Sequence, residues 1–574
     1  MRDYDDQRHM KTIIYQIFTR LYGNRNTTRK PNGTIEENGC GKMNDIGTRE
    51  LRKLKALGVT HVWYTGIIRH ATQTDYSTFG IPRSHSAVVK GRAGSPYAIA
   101  DYYDVDPDLA VKVKRRMKEF EALVERTHHM GLKVIIDFVP NHVARQYHSI
   151  CKPKETADLG ELDDTSKGFD PQNNFYYCPG HKLEPSIDLY GNETEAYSEC
   201  PAKATGNDLF NPRPGQNDWY ETVKLNYGVD YYAGRKGCFS PTPRTWRQMT
   251  DILLFWADKG VDGFRCDMAE MVPAEFWGYA TAEVKRKHDN IVFIGEVYNP
   301  AEYRNYIANG FDYLYDKVGM YDTMRAVTCN QCPATAITQA WQATEDIKGN
   351  MLYFLENHDE QRIASSQFAG DARRGIPALA VNVLMRTNPF MLYAGEEYGE
   401  KGMDSEGFSG KDGRTTIFDY WSMDTLCRAA EDKLTEDEAR LAEVHRKILT
   451  IANKEKTVSE GLFYDLMYAN PQTDHFFPYS NYAFLRKADN ELLIVAANFG
   501  TEPADISVTL PAHAFHFLCM PERTATATDL LTGEKQSMTL AKDQSVSMRI
   551  EAFGARVWKI RLKKPTAESR SSKA

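Results

Sequence analysis

The stretch WRQMTDILLFWADKGVDGFRCD, residues 246–267, sets out the fold in the order of its parts. Trp246, Met249, Leu253 and Trp256 recur at helical spacing, Gly260 supplies a left-handed stop, and VDGFRCD follows as a short apolar run suited to a strand covered on both faces. The same plan occurs twice upstream. Leu51, Leu54 and Leu57 lead to Gly58 and VTHVWY, while Met117, Phe120 and Val124 lead to Gly131 and LKVIIDF. Repeated helix-then-strand units imply a parallel sheet with helices packed on it.

Eight such runs can be read: TIIYQIF (12–18), VTHVWY (59–64), KVIIDF (133–138), VDGFRCD (261–267), VFIGEV (292–297), FDYLY (311–315), MLYFLE (351–356) and PFMLY (389–393). That number favours an α/β fold closed as a (β/α)8 TIM barrel over residues 11–454, although an open doubly wound sheet satisfies the count as well. Between the third run and the next helix lies a loop-rich stretch, residues 143–242, too long for an ordinary connection and expected to form an inserted subdomain walling a cleft. From about 455 to 563 the apolar period changes to two in YAFLRKA, ELLIVAANF, ADISVTL and ARVWKIRL, which predicts a C-terminal antiparallel β-sandwich. A polar tail, 564–574, is expected to be disordered.

The 574 residues exceed one compact core, and their 26% charged and 42% hydrophobic content is that of a globular chain. A net charge of -7 without a basic block predicts no nucleic-acid partner. The ten cysteines do not form a disulfide framework, and Cys329 and Cys332 lack a second pair at zinc spacing. The start MRDYDDQRHMK is charged, and no run approaches a membrane span, so a soluble, cytoplasmic chain in a reducing compartment is expected.

In a barrel the chemistry sits where strands end, and four runs end in polar residues. The third leads to Asp137, Asn141 and His142; the fourth carries Arg265 and Asp267; the fifth ends at Glu296; the seventh reaches Asn357, His358 and Asp359. Strand alternation puts Arg265 and Asp267 on one face, where the guanidinium can keep the carboxylate ionised to attack an anomeric carbon. Glu296 on the adjacent strand supplies the second carboxyl, and a retaining glycosidase needs the pair about 5–5.5 Å apart. A raised pKa, from burial and negative neighbours, is expected for Glu296 as the acid. Asp359 is expected to stabilise a cationic transition state, with His142 and His358 as neutral hydrogen-bond partners.

Together these residues resemble the α-amylase family. Its Asp-x-Val-x-Asn-His motif is similar to Asp137, Val139, Asn141 and His142, and its Gly-x-Arg-x-Asp motif to Gly263, Arg265 and Asp267. Glu296 and the set Asn357, His358, Asp359 complete the pattern in order. The resemblance implies three catalytic carboxylates (Asp267, Glu296, Asp359), a sugar-stacking Tyr97 in SPYAIADYYDVDP, and substrate contacts from His142, Arg265 and His358. It also implies that Asn141 is a candidate calcium ligand, alongside a structural reading of the same residue, and it points more faintly to Asn24, Asn26, Asn38 and Asp45. Arg362 resembles an arginine of relatives acting on short oligosaccharides and is expected either to bind substrate or to form an exposed salt bridge. Two departures stand out. Glu270 and Met271 occupy positions where many α-amylases have Lys-His, and VKLNYG (223–228) matches the family's late inserted-domain motif only loosely.

The resulting expectation is a retaining α-glycoside hydrolase acting on α-1,4-linked glucans or maltooligosaccharides. Its alternatives are a transglycosylase, an α-glucosidase acting on short α-glucosides, and a noncatalytic glycan-binding protein.

Overall fold

All eight runs become strands of one closed parallel barrel in the computed structural model, which describes residues 10–402 and 411–562. The strands are β1 (Ile13–Phe18), β2 (His61–Thr65), β3 (Lys133–Phe138), β4 (Gly263–Cys266), β5 (Val292–Gly295), β6 (Tyr313–Tyr315), β7 (Met351–Phe354) and β8 (Phe390–Tyr393). They follow one another around the barrel, and β8 closes on β1 through Ile13 opposite Phe390. The helices quoted above are α1 (Thr48–Leu57), α2 (Arg116–His129) and α3 (Arg244–Asp258). Each is followed by a glycine in the left-handed region, with φ of 103° at Gly58, 67° at Gly131 and 88° at Gly260, a conformation that costs other residues a steric penalty.

Alternation along each strand divides the side chains into two cores. Ile14, Trp63, Ile135, Ile294, Leu352 and Met391 fill the barrel interior, while Ile136, Phe138, Phe264 and Phe293 face the helices. Phe120 and Trp256, from α2 and α3, are both fully buried against the outer face, and burying such a ring stabilises by about 1.5–3 kcal/mol. At Gly263 the barrel is narrow: a Cβ there would lie 2.9 Å from the Val292 carbonyl and 3.3 Å from Ile135 Cγ1. The strand can therefore approach both neighbours only because it begins with glycine.

After β2 a strand Ile68–His70 pairs with Ile99–Val105, a ladder absent from the sequence reading. The inserted stretch contains short antiparallel pairs, among them His142–Ala144 with Thr222–Lys224, held mainly by turns and side-chain bonds. The C-terminal part is lopsided rather than an even sandwich. Six of its strands form one sheet, and only Ala504–Leu510 and Gln544–Ile550 form the second layer. Ile506, Val508, Val546 and Met548 from that pair bury themselves in the common core. The tail expected over 564–574 lies outside the described residues.

Candidate active site

The register of three neighbouring strands assembles the site. Arg265 pairs with Ile294 of β5 on one side and with Asp137 of β3 on the other, and Cys266 pairs with Gly295. Asp267 and Glu296 therefore leave the barrel one step later, side by side, with Asp267 N–H donating to Phe138 O at 2.9 Å and Glu296 N–H to Cys266 O at 3.2 Å.

Arg265 points into the barrel mouth and is fully buried. Nη1 lies 2.7 Å from Asp267 Oδ1 and 3.7 Å from Asp137 Oδ1, while Nη2 lies 2.8 Å from Glu296 Oε2 and 3.8 Å from Asp359 Oδ2. One guanidinium thus serves four carboxyl groups. Its carbon also lies 5.4 Å from the ring centres of Trp63 and Tyr97 and 5.6 Å from that of Tyr315, so aromatic faces complete its surroundings. The main chain adds another link between the two acids: the N–H of Met268, next to Asp267, donates to Glu296 Oε2 at 2.7 Å. Tyr298 OH bonds the other oxygen, Oε1.

The pairing of Arg265 with Asp267 expected from alternation is present, and burial opposes its effect. Desolvation pushes the Asp267 carboxyl well above the usual range, Arg265 pulls it back, and the nearby Glu296 charge adds to the rise. Asp137 is pushed by burial up to about 6 against the pull of the same arginine. Glu296 has the expected negative neighbour in Asp267 and, in addition, the Arg265 guanidinium at 2.8 Å. Asp359 is the most open of the four, its side chain 37% exposed.

Above these groups lies a cleft of about 300 Å³ lined by Tyr97, His142, Trp219, Asp267, Glu296 and Asp359. The Tyr97 ring stacks on His358 at 5.3 Å between ring centres. Gln16 Nε2 meets His358 Nδ1 at 2.8 Å, and His358 Nε2 is hydrogen-bonded to Tyr97 OH, with Asp359 Oδ2 3.1 Å away. Burial holds the His358 ring well below its ordinary pKa, and it holds His142 down at about 3, helped by Lys224 and Lys90. Burial therefore favours the neutral form of both rings. A larger hollow of about 580 Å³ lies elsewhere, between α1 and the helix Glu436–Lys454, away from the strand-end carboxyls.

His142 binds a proton only in the unfolded chain between about pH 3 and 6.5. Its contribution to stability is complete above pH 6.5 and is lost progressively as pH falls below that. His142→Asn is expected to raise KM for a maltooligosaccharide roughly tenfold through a lost hydrogen bond, with the acid limb of the kcat profile unmoved. Rate measurements from pH 4 to 8 check this, and a limb that shifts would mean that the ring titrates during turnover.

Three residues at the site escaped the sequence reading. Trp63 Nε1 donates to Asp137 Oδ2 at 3.0 Å, Tyr298 holds Glu296, and Arg414 Nε donates to the Asp359 carbonyl at 2.6 Å. Trp63 was discoverable, since alternation along VTHVWY turns it inward with Ile14 and Ile135. Arg414 was not, because it reaches the site from 55 residues downstream.

One expectation is corrected. Arg362 is neither exposed nor in the cleft lining: it is fully buried, with Nη1 2.8 Å from Glu356 Oε2, Nε bonded to Thr415 Oγ1 at 2.8 Å and Nη2 to Ala394 O at 3.0 Å. Each guanidinium nitrogen is engaged by β7 and β8 extensions, so none is left to reach a sugar. Asn141 Oδ1 accepts from the Lys224 ammonium and its Nδ2 donates to Gly206 O at 2.8 Å, contacts that match the structural reading of this residue. In the first loop the amide nitrogens are engaged within the chain. Asn24 Nδ2 donates to Asn38 O and Trp421 O, both at 2.9 Å, and Asn38 Nδ2 to Tyr420 O at 3.0 Å, so these amides spend themselves on tying turns. Asp101, Asp104 and Cys151 also lie close together, but Arg116 holds both oxygens of Asp104 at 2.6 and 2.7 Å.

A parallel eight-stranded barrel with strand-end carboxyls around one arginine defines a class of carbohydrate-active proteins. The family model for the alpha amylase catalytic domain matches residues 16–458, and the chain belongs to that family. An alpha-amylase of Streptomyces lividans is 26% identical over 80% of this chain and 51% of its own length. A cyclomaltodextrin glucanotransferase of a Bacillus species is 23% identical over 69% of this chain and 50% of its own. The chain spans about half to two thirds of the length of the curated relatives it matches. Among solved structures, a maltogenic alpha-amylase of Thermotoga neapolitana superposes with a TM-score of 0.63 at 20% identity, covering 96% of this chain and 99% of that one, which shows the shared fold.

Proposed function

We propose that this protein is a retaining glycoside hydrolase acting on α-1,4-linked glucans or maltooligosaccharides. The observation that carries the reading is the single buried guanidinium of Arg265 in contact with both Asp267 and Glu296 at the floor of an open cleft. In this reading Asp267 attacks the anomeric carbon while Glu296 gives its proton to the departing glycosidic oxygen. The glycosyl ester on Asp267 is then hydrolysed by a water whose proton returns to Glu296. Asp359, the most open of the carboxyls, stabilises the oxocarbenium-like charge, and Tyr97 offers its ring to the sugar beside Asp267.

The acid assignment has a specific test. Glu296→Gln should slow hydrolysis of unactivated maltooligosaccharides by roughly a hundred- to ten-thousandfold, but hardly slow bond cleavage in aryl glycosides whose leaving group needs no proton. Equal losses on both substrates would exclude Glu296 as the acid.

A second reading is transfer of the glycosyl unit to a sugar instead of water, favoured by the likeness to a cyclomaltodextrin glucanotransferase. Both share the covalent intermediate, and incubation with maltoheptaose separates them by whether longer products accumulate. The partner in either case is an oligosaccharide or polysaccharide; the charge of -7 supports no nucleic acid. Among the described residues no helix is long and apolar enough to cross a membrane. The ten cysteines, all unpaired, support a reducing, cytoplasmic setting.

A further inference from the structure

Lys224 ends the short strand Thr222–Lys224 and stands opposite His142 in a two-stranded ladder. Its side chain is 2% exposed, which is rare for an ammonium. Nζ meets three oxygens from three separate parts of the chain: Asn141 Oδ1 beyond β3, Asp208 Oδ1 at 2.7 Å within the inserted stretch, and Met271 O at 3.2 Å in the turn that follows Asp267. Two of these contacts are hydrogen bonds, to Asn141 and Met271, and the third is an ion pair with Asp208, so the buried charge is both paired and bonded.

We infer that Lys224 is a tethered internal cation clamping the inserted stretch to the Asp267 turn, and that this junction needs no calcium. Calcium takes about six to eight oxygens at roughly 2.3–2.6 Å, far more than this cage supplies. The only carboxylate in the cage is Asp208, whose Oδ2 lies 3.4 Å from Arg235, so the charge suits one ammonium and not a second cation. Because the cation is covalently part of the chain, dilution and chelators cannot remove it. The clamped turn is also fastened on its far side, where Glu270 Oε2 accepts from Tyr298 N and Asn299 N at 2.9 and 3.0 Å. Met271 and Glu270 thus link the clamp to the segments bearing both acids.

Thermal unfolding of the purified protein with millimolar EDTA or millimolar calcium chloride tests this. The wild-type Tm is expected to agree within about 1 °C between the two, since no bound ion is lost. Lys224→Ala should lower Tm by about 5 °C, because Asn141 and Asp208 lose their partner, and added calcium should restore none of the loss, three oxygens being too few to hold the ion. Lys224→Met, which fills the space without charge, should also lose about 5 °C and gain nothing from calcium. A wild-type Tm that moves by several degrees on chelation would overturn the inference. So would a Met variant as stable as wild type, or an Ala variant that calcium restores. If the Ala variant fails to fold, the wild-type and Met measurements decide.

Discussion

Asp267→Asn should lower kcat on maltooligosaccharides roughly ten-thousandfold or more while leaving their binding within about tenfold of wild type. The amide keeps nearly the same shape and an oxygen for Arg265 Nη1, now at 2.7 Å from Asp267 Oδ1, so the cleft should keep its form. What the amide cannot do is form the glycosyl ester, and with that step lost neither hydrolysis nor transfer can proceed. Isothermal titration with maltoheptaose and single-turnover assays would measure the two quantities separately. Turnover near the wild-type rate would remove Asp267 from the chemistry and with it the retaining mechanism proposed for this fold.

The second large effect is expected at Arg265, for a different physical reason. Its guanidinium engages Asp267 and Glu296 through different nitrogens, at 2.7 and 2.8 Å, while Asp137 and Asp359 lie within 3.8 Å. Lysine carries the same charge at a single point and cannot span two carboxyls held by neighbouring strands. Arg265→Lys should therefore fold but lose roughly a thousandfold in kcat, with the two acids no longer held in fixed relation. Arg265→Met removes the charge altogether and leaves the carboxyls at the barrel mouth unpaired, which should cost about 3–5 kcal/mol of stability in denaturant titrations. A lysine variant retaining more than a tenth of wild-type activity would show that the bridge is not needed for catalysis.

Much of this site was legible before any coordinates, and the reason is local. Strand period alone turns Arg265 and Asp267 to one face, and the glycine stops at Gly58, Gly131 and Gly260 mark where helices give way to barrel strands. Asp137, Asp267, Glu296 and Asp359 are recognisable because each sits at the end of such a run. The misreading came from contacts that span the chain. Arg362 follows Asp359 by three positions, yet the backbone carries it inward to Glu356 and Thr415, so proximity in sequence to a cleft residue did not mean proximity to substrate. The partner of Asn141, the Lys224 ammonium, lies 83 residues away and was invisible to a linear reading.

Periodicity and spacing determined the eight parallel strands, their order along the chain and the acids at their ends, since these depend on which side chains can face a core within a few residues of one another, while closure into a barrel was shown by β8 pairing with β1. Only the folded chain decided which charges meet: that one arginine serves both acids depends on the register of β3, β4 and β5, and that Lys224 meets Asn141 depends on where the inserted stretch returns to the barrel. Electrostatic attraction acts over a few ångströms whatever the separation along the chain, so a linear reading can name the ions but not their partners.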